Sequence, residues 1–261
     1  MNKGIPMSKP ADFRELTCAQ CRDGAGLEFE FTMAFQPIVD LPKKQIFAYE
    51  ALVRGLNGEG ADFILAKVNE ANLYSFDQAC RVKAIQLAAE LGMSEKLSIN
   101  FNPNAIYKPE LCLRSTLAAA DTYGFDTRKI IFEFTEREAV VDSGHLSRIL
   151  SYYQDTGFST AIDDFGSGFS GLNLLSEISP NIVKLDWALI RGIDKNTRKQ
   201  IVVQHIVAMA KQLNIKVIAE GIETHAEADT LSQLGIDLLQ GYFFAKPAIA
   251  RLTSLVIPNN L

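Results

Sequence analysis

Short apolar runs in this chain repeatedly end in an acid or an amide. The runs occupy residues 46–50, 97–100, 130–133, 160–164, 216–220 and 238–240. Acidic side chains are poor strand formers and are costly to bury. Their recurrence at the ends of successive strands indicates that these ends converge on something positive, for which one or two divalent metal ions are the natural candidate.

The side chains at these strand ends offer hard oxygen atoms as ligands. They are Glu50, Asn100, Glu133, Asp163, Asp164, Glu220 and Gln240. Carboxylate and amide oxygens suit Mg²⁺ or Mn²⁺ rather than zinc. The adjacent Asp163 and Asp164 fit a binuclear site, because one carboxylate can bridge two ions while its neighbour holds the second. A helix cap or a solvated loop explains one such acid, but it is a poor account of five or six at equivalent positions.

Lys184 ends another apolar run and adds a cation to the convergent set. It either pairs with a nearby acid for stability or orients and activates a water molecule, and we favour the second because its strand joins the same set. The triplet Asp164-Phe165-Gly166 is also found in protein kinases. The chain has no glycine-rich phosphate loop and no His-Arg-Asp triplet, so we reject the hypothesis that it is a protein kinase.

Length and composition fit one globular domain. The 261 residues, 48% hydrophobic and 22% charged, suit an α/β barrel of about 250 residues. The net charge of −5 and the lack of a basic block argue against a DNA or RNA polymer as partner. No apolar stretch reaches the roughly 18 residues that span a membrane, and residues 1–15 lack a signal-peptide core. We therefore expect a cytoplasmic protein with no membrane partner.

Eight strand-like runs alternate with helical patterns. They occupy residues 31–38, 45–52, 97–101, 130–134, 159–163, 182–185, 216–220 and 236–240. This alternation predicts parallel strands covered by helices, and eight strands predict a closed barrel. Only six residues separate the first two runs, too few for a crossover helix. The predicted fold is therefore α/β, a modified TIM (β/α)8 barrel with an antiparallel first strand.

Residues 1–28 are predicted to form an N-terminal extension that precedes a domain at residues 29–261. The extension contains Cys18 and Cys21 in a C-x-x-C pattern. Structural zinc sites usually add a second such pair or a pair of histidines, and the histidines here form no H-E-x-x-H arrangement. We interpret the pair as reduced thiols, with a redox or metal role as the alternative.

Taken in order, the motifs resemble those of EAL-domain cyclic di-GMP phosphodiesterases over about residues 31–247. They are FQPI at 35–38, EALVR at 50–54, IN at 99–100, FEFTE at 132–136, DDFG at 163–166, VKLD at 183–186, AEGIE at 219–223 and QGY at 240–242. Any one of these motifs is weak evidence for the resemblance, whereas the whole set in this order is highly specific for the family.

The resemblance implies a role for each candidate residue. Two Mg²⁺ or Mn²⁺ ions would be held by Glu50, Asn100, Glu133, Asp163, Asp164 and Glu220. Lys184 would contact the nucleophilic water, Gln240 would contribute to the metal–water site, and Glu223 would support it. Gln36 and Arg54 would meet the dinucleotide, with Arg54 on a phosphate. Glu136 would anchor the loop that follows Asp164.

The implied reaction is metal-assisted hydrolysis of cyclic di-GMP to linear pGpG by a homodimer, with Ca²⁺ permitting binding but opposing hydrolysis. Gly55, the loop 168–171 and the segment 100–104 depart from the usual family pattern. The last of these is similar to EAL domains linked to blue-light-sensing BLUF modules, although we expect no such module before Phe31. Two alternatives stay open: a weak or inactive EAL domain acting as a cyclic di-GMP receptor or protein-interaction module, and a barrel enzyme for another phosphoester.

Overall fold

The computed structural model of the chain describes residues 27–106, 108–135, 143–168 and 171–254. Within these ranges nine strands form a single sheet. They are β1 Thr32–Asp40, β2 Gln45–Arg54, β3 Lys96–Asn100, β4 Ile130–Thr135, β5 Ser159–Phe165, β6 Ile182–Leu185, β7 Lys216–Ala219, β8 Leu238–Leu239 and β9 Ala248–Ile249. Each of the first eight strands overlaps one of the eight predicted runs, although β1 to β5 extend one or two residues beyond their runs.

Helices connect the strands and cover the sheet. In the described ranges they are α1 Ala61–Leu65, α2 Leu73–Glu90, α3 Pro109–Cys112, α4 Arg114–Tyr123, α5 Ser143–Asp155, α6 Gly171–Glu177, α7 Trp187–Ile190, α8 Thr197–Gln212 and α9 His225–Gln233. Short 3-10 turns lie at Pro103–Ala105, Thr127–Lys129 and Ile193–Lys195. Among the helices described here, none is long and apolar enough to cross a membrane.

The sheet closes into a barrel through its first strand. Strands β2 to β8 run parallel and lie in chain order, while β1 pairs antiparallel with β2 on one side and with β8 on the other. The reversal occurs in the short turn after Asp40, where Lys44 adopts a left-handed φ of 51°. The predicted α/β barrel with an antiparallel first strand is therefore confirmed, and β9 is an additional strand paired with β1.

One apolar layer fills the barrel interior towards its amino-terminal end. It consists of Ile38, Ala48, Ile131, Ala161, Ile182, Ile218 and Leu238, all buried. Side chains two residues apart on a strand lie on the same face. The next inward position on each strand is polar in every case: Gln36, Glu50, Glu133, Asp163, Lys184, Glu220 and Gln240. The strand period therefore builds a polar layer directly above the apolar one.

Candidate metal and catalytic centre

Lys184 lies at the centre of the polar layer and is fully buried. Its Nζ is within ion-pair distance of four carboxylates: Glu220 at 2.7 Å, Glu133 at 2.8 Å, Asp163 at 3.0 Å and Glu50 at 3.4 Å. One ammonium among four acids leaves unbalanced negative charge in a buried place, where charge is costly. The layer therefore favours binding of further positive charge.

The pKa shifts of this layer express the same imbalance. Burial raises the pKa of Glu133 to about 8, against the opposing effect of Lys184. Burial also raises the pKa of Glu220 well above its usual value, and the neighbouring Asp163 adds to the shift. For Lys184 burial acts to lower the pKa, but the surrounding carboxylates outweigh it and raise that pKa. The lysine thus stays charged, while the acids gain from added protons or cations.

The carboxylates form two triads that share one residue. Glu50, Glu133 and Asp163 make the first, and Asp163, Asp164 and Glu220 make the second. Within each triad the candidate ligand oxygens all lie within 4.8 Å of one another. An all-oxygen donor set fits Mg²⁺ or Mn²⁺, and the sharing of Asp163 fits a pair of ions.

Two amides orient Glu50 at the edge of the first triad. Asn100 Nδ2 donates to Glu50 Oε1 at 3.1 Å, and Gln240 Nε2 donates to Glu50 Oε2 at 2.7 Å. With its nitrogen turned to Glu50, each amide presents its oxygen to the other side. The Oε1 of Gln240 is buried and has no hydrogen-bond partner among the described residues. That oxygen is suited to a metal ion or a water molecule.

A backbone irregularity lets Asp163 and Asp164 both face the site. Neighbouring strand residues normally point to opposite faces. Here Asp164 has a left-handed φ of 52°, and the β5–β6 register shifts between Ile162 and Phe165. Such a bulge re-aims a side chain, and non-glycine residues with positive φ are uncommon. Gly166, with φ 92°, completes the turn.

Ser98 is a site residue that the sequence analysis missed. It is fully buried on β3, and its hydroxyl donates to Glu133 Oε1. Because Lys184 Nζ donates to Glu133 Oε2 at 2.8 Å, both oxygens of this carboxylate are fixed in direction. The signal was present, since strand alternation places Ser98 and Asn100 on one face.

A cavity of about 390 Å³ opens onto the polar layer. Its walls combine predicted site residues with an aromatic and basic rim: Gln36, Glu50, Leu52, Trp187, Arg191, Glu220, Gly221, Glu223, Gln240, Gly241 and Tyr242. Gln36 Nε2 donates to the Ala245 carbonyl at 3.2 Å, and Gln36 Oε1 accepts from Gln240 Nε2 at 3.3 Å. Glu223 is exposed at the cavity, where its backbone N–H donates to Glu227. The rim residues Trp187 and Arg191 were not among the predicted site residues.

Among the described residues, the predicted Arg54 does not line this cavity. Arg54 is half-buried, and its Nη1 donates to the carbonyl of Val53 at 2.7 Å. Glu136 and the cysteines Cys18 and Cys21 lie outside the described residues.

Comparison with known proteins identifies the family. The sequence profile described as the EAL domain matches residues 24–247. The chain belongs to the EAL domain family. Two solved structures share its fold. A standalone EAL protein from Vibrio cholerae O395, in its c-di-GMP-bound form, is 55% identical with a TM-score of 0.86, over 88% of this chain and 98% of that one. Klebsiella pneumoniae BlrP1, in a structure described as a manganese/cy-diGMP complex, is 33% identical with a TM-score of 0.78. The match covers 84% of this chain and 56% of that one.

Curated relatives of this EAL chain include enzymes and regulators. The blue light- and temperature-regulated antirepressor BluF of Escherichia coli is 30% identical over 227 residues, 87% of this chain and 56% of that protein. The cyclic di-GMP phosphodiesterase PA2567 of Pseudomonas aeruginosa is 30% identical over 231 residues, 86% of this chain and 39% of that protein. The chain thus spans about half or less of the length of these two relatives.

Proposed function

We propose that this EAL domain is a metal-dependent phosphodiesterase that hydrolyses cyclic di-GMP to linear pGpG. The observation that carries the proposal is the pair of carboxylate triads sharing Asp163 around the buried Lys184. The names of its relatives support the substrate, because PA2567 is called a cyclic di-GMP phosphodiesterase and the Vibrio cholerae EAL protein is described as c-di-GMP bound.

The proposed metal ligands are Glu50, Asn100, Glu133, Asp163, Asp164 and Glu220. When bound, two Mg²⁺ or Mn²⁺ ions would supply Lewis-acid chemistry, lowering the pKa of water and offsetting charge on phosphoryl oxygens. Asp163 is the proposed shared ligand, since it belongs to both triads. The BlrP1 structures described as manganese and calcium complexes support a divalent site of this kind.

The other polar side chains would position water and substrate. The Nζ of Lys184 would donate to the attacking water, and the unpartnered Oε1 of Gln240 would accept from it. Gln36 would meet the dinucleotide inside the cavity, while Glu223 would support the site from the rim. Arg54 would engage a phosphate after its guanidinium leaves the Val53 carbonyl.

The proposal extends to the assembly of the protein. We propose a homodimer in the cytoplasm, with Glu136 anchoring the loop after Asp164.

The alternative function is that of a catalytically weak or inactive domain that serves as a receptor or interaction module. Such a domain is expected to lack metal ligands or the lysine, and the presence of the whole set favours the enzyme.

The test is turnover by matched variants. Purified protein with Mn²⁺ or Mg²⁺ should convert cyclic di-GMP to pGpG, as measured by chromatography. Asp163→Asn should keep the fold but lose at least about 100-fold in turnover, because it removes the shared ligand. Asp229→Asn, an exposed acid on α9, should behave as wild type.

Three results would contradict the enzyme or its specificity. Binding of cyclic di-GMP without cleavage would identify a receptor. Faster cleavage of generic phosphodiesters than of cyclic di-GMP would identify another phosphoesterase. Near-normal turnover by Asp163→Asn would remove that residue from the mechanism.

A further inference from the structure

We infer that the buried ion pair between Asp77 and Arg81 on α2 positions Asn100 for metal binding. Neither residue reaches the polar layer, so the pair would act through the chain segment that follows β3. This positioning role rests on the proposed metal centre, and it concerns how one of the proposed ligands, Asn100, is oriented.

Arg81 is held rigidly inside the protein. It has no exposed surface, and its Nη2 lies 2.6 Å from Asp77 Oδ2. Its Nη1 donates to the Cys112 carbonyl at 3.1 Å and to Thr116 Oγ1 at 3.2 Å. Its Nε donates to the Asp77 carbonyl at 3.3 Å. The guanidinium therefore fixes the Asp77 carboxylate against α3 and α4.

The second oxygen of that carboxylate leaves the helix. Asp77 Oδ1 accepts the backbone N–H of Asn102 at 3.0 Å. Asn102 stands two residues after Asn100, and its own side chain accepts from Asn104 N at 2.8 Å to cap the Pro103–Ala105 turn. Asp77 thus fastens the start of the loop that follows β3.

The residue between them is fastened as well. The backbone N–H of Phe101 donates to the Glu133 carbonyl at 2.8 Å. The Phe101 ring lies 5.5 Å from Tyr153, 5.8 Å from Phe132 and 5.9 Å from Phe134, measured between centroids. With Phe101 and Asn102 both held, the backbone direction at Asn100 is set, and the position of its amide follows.

A purely stabilising role explains the pair poorly. Replacing a buried ion pair by apolar residues of similar size is often neutral for stability. What an apolar pair cannot provide is an acceptor for the Asn102 N–H. The groups that orient metal ligands commonly affect metal affinity by about 10-fold to 100-fold. The hydrogen bond to Asn102 is therefore the feature that distinguishes positioning from support.

Two double variants isolate that hydrogen bond. Both remove the ion pair, but Asp77→Asn/Arg81→Met keeps an oxygen that can accept from Asn102, whereas Asp77→Leu/Arg81→Met does not. Free and bound Mn²⁺ would be counted by electron paramagnetic resonance without any dinucleotide. Thermal melting in chelator would check that both variants fold.

We expect the Asn/Met variant to bind Mn²⁺ as wild type does, and the Leu/Met variant to bind at least about tenfold more weakly. Equal Mn²⁺ affinity in wild type and both variants would overturn the positioning role and leave the metal centre intact. Equal weakening in both variants would also overturn it, because the charge rather than the acceptor would then matter. Absence of Mn²⁺ binding by wild type would overturn both the metal centre and this inference.

Discussion

At the scale of a single residue, the charge of Lys184 offsets part of the negative charge of the polar layer. Removing one partner of a buried ion pair leaves uncompensated charge and strongly destabilises a protein. We expect Lys184→Met to lower the free energy of unfolding by about 3 kcal/mol in chelator at pH 7, as measured by urea denaturation. The deficit should shrink at lower pH, because the carboxylates that face this lysine then take up protons.

Lys195→Met is the matched control for that change. Lys195 is 88% exposed and lies 3.8 Å from Asp194, so its pair is worth little. Its replacement should alter stability by less than about 0.5 kcal/mol. Equal stability of the two lysine variants would show that Lys184 does not hold the acids together.

The residues of the candidate site were predictable to different degrees. Strand-end acids such as Glu133 stand out in the sequence because carboxylates are rare in strands. Ser98 carried only the weaker signal of alternation. Asp77 and Arg81 carried no distinguishing signal, since an acid and a base four residues apart on a helix usually form a solvated pair. Only the packing of α3 and α4 over α2 buries them, and that packing is a tertiary property.

At the scale of an element, the turn after β5 controls how Asp163 and Asp164 are presented. Gly166 has a φ of 92°, and a Cβ there would lie 2.6 Å from Leu189 Cδ1. We expect Gly166→Ala to lower turnover of cyclic di-GMP as well as stability, because both the strained backbone and the contact with α7 displace Asp164. Steady-state kinetics and thermal melting measure the two effects.

Gly157→Ala is the control that introduces backbone strain away from the turn after β5. Gly157 lies in the turn after α5 and has a similar φ of 97°, but a Cβ there meets only Arg128 Cγ at 3.7 Å. It should cost roughly 1 kcal/mol of stability while turnover stays unchanged. Equal loss of turnover in both glycine variants would show that the turn after β5 has no special role.

The amino terminus of α9 gives a pH-dependent prediction. Glu227 accepts N–H groups from Gly192 at 2.7 Å and from Glu223 and Thr224 at 3.1 Å. Burial acts to raise the pKa of Glu227, but these hydrogen bonds outweigh it and hold the pKa below its usual value of 4.5. A lowered folded-state pKa stabilises the protein above pH 4.5, and that contribution is lost as the pH falls through the folded-state pKa.

Glu227→Gln should therefore be less stable than wild type by about 1–2 kcal/mol near pH 7, with the difference shrinking below pH 4.5. Urea denaturation across this pH range measures it. The exposed Glu110→Gln is the control and should show no such trend. A difference that grows towards acid pH would contradict the assigned role of Glu227.

The elements themselves were predicted where length or periodicity gave a clear pattern. The six residues between the first two runs were enough to predict the antiparallel β1. Strand β9 was not predicted, because two residues carry no periodic signal and its pairing with β1 depends on how the chain returns to the barrel. The left-handed Asp164 was missed for a similar reason, since its conformation is imposed by the bulge between β5 and β6.

At the scale of the whole molecule, the barrel divides its interior into two layers. An apolar layer fills the amino-terminal end, and the polar layer above it draws one residue from each of the other seven barrel strands, while Ser98 on β3 joins it by a hydrogen bond to Glu133. The alternation of each strand predicts which residue faces inward. The closure of the barrel then brings residues from eight strands to one place. Any ligand of this layer therefore ties together strands from across the chain.

Metal binding should consequently stabilise the entire domain. A ligand that binds only the folded protein adds about 2.7 kcal/mol at 100 times its Kd. For a protein of this size we expect Mn²⁺ to raise Tm by roughly 5–10 °C over the value in chelator. Ca²⁺ should also raise Tm without supporting hydrolysis, because it accepts looser coordination. Asp163→Asn should lose most of the rise with either ion, since both triads contain Asp163, while Asp229→Asn should keep it. A full rise in Tm for Asp163→Asn would place the metal elsewhere in the molecule.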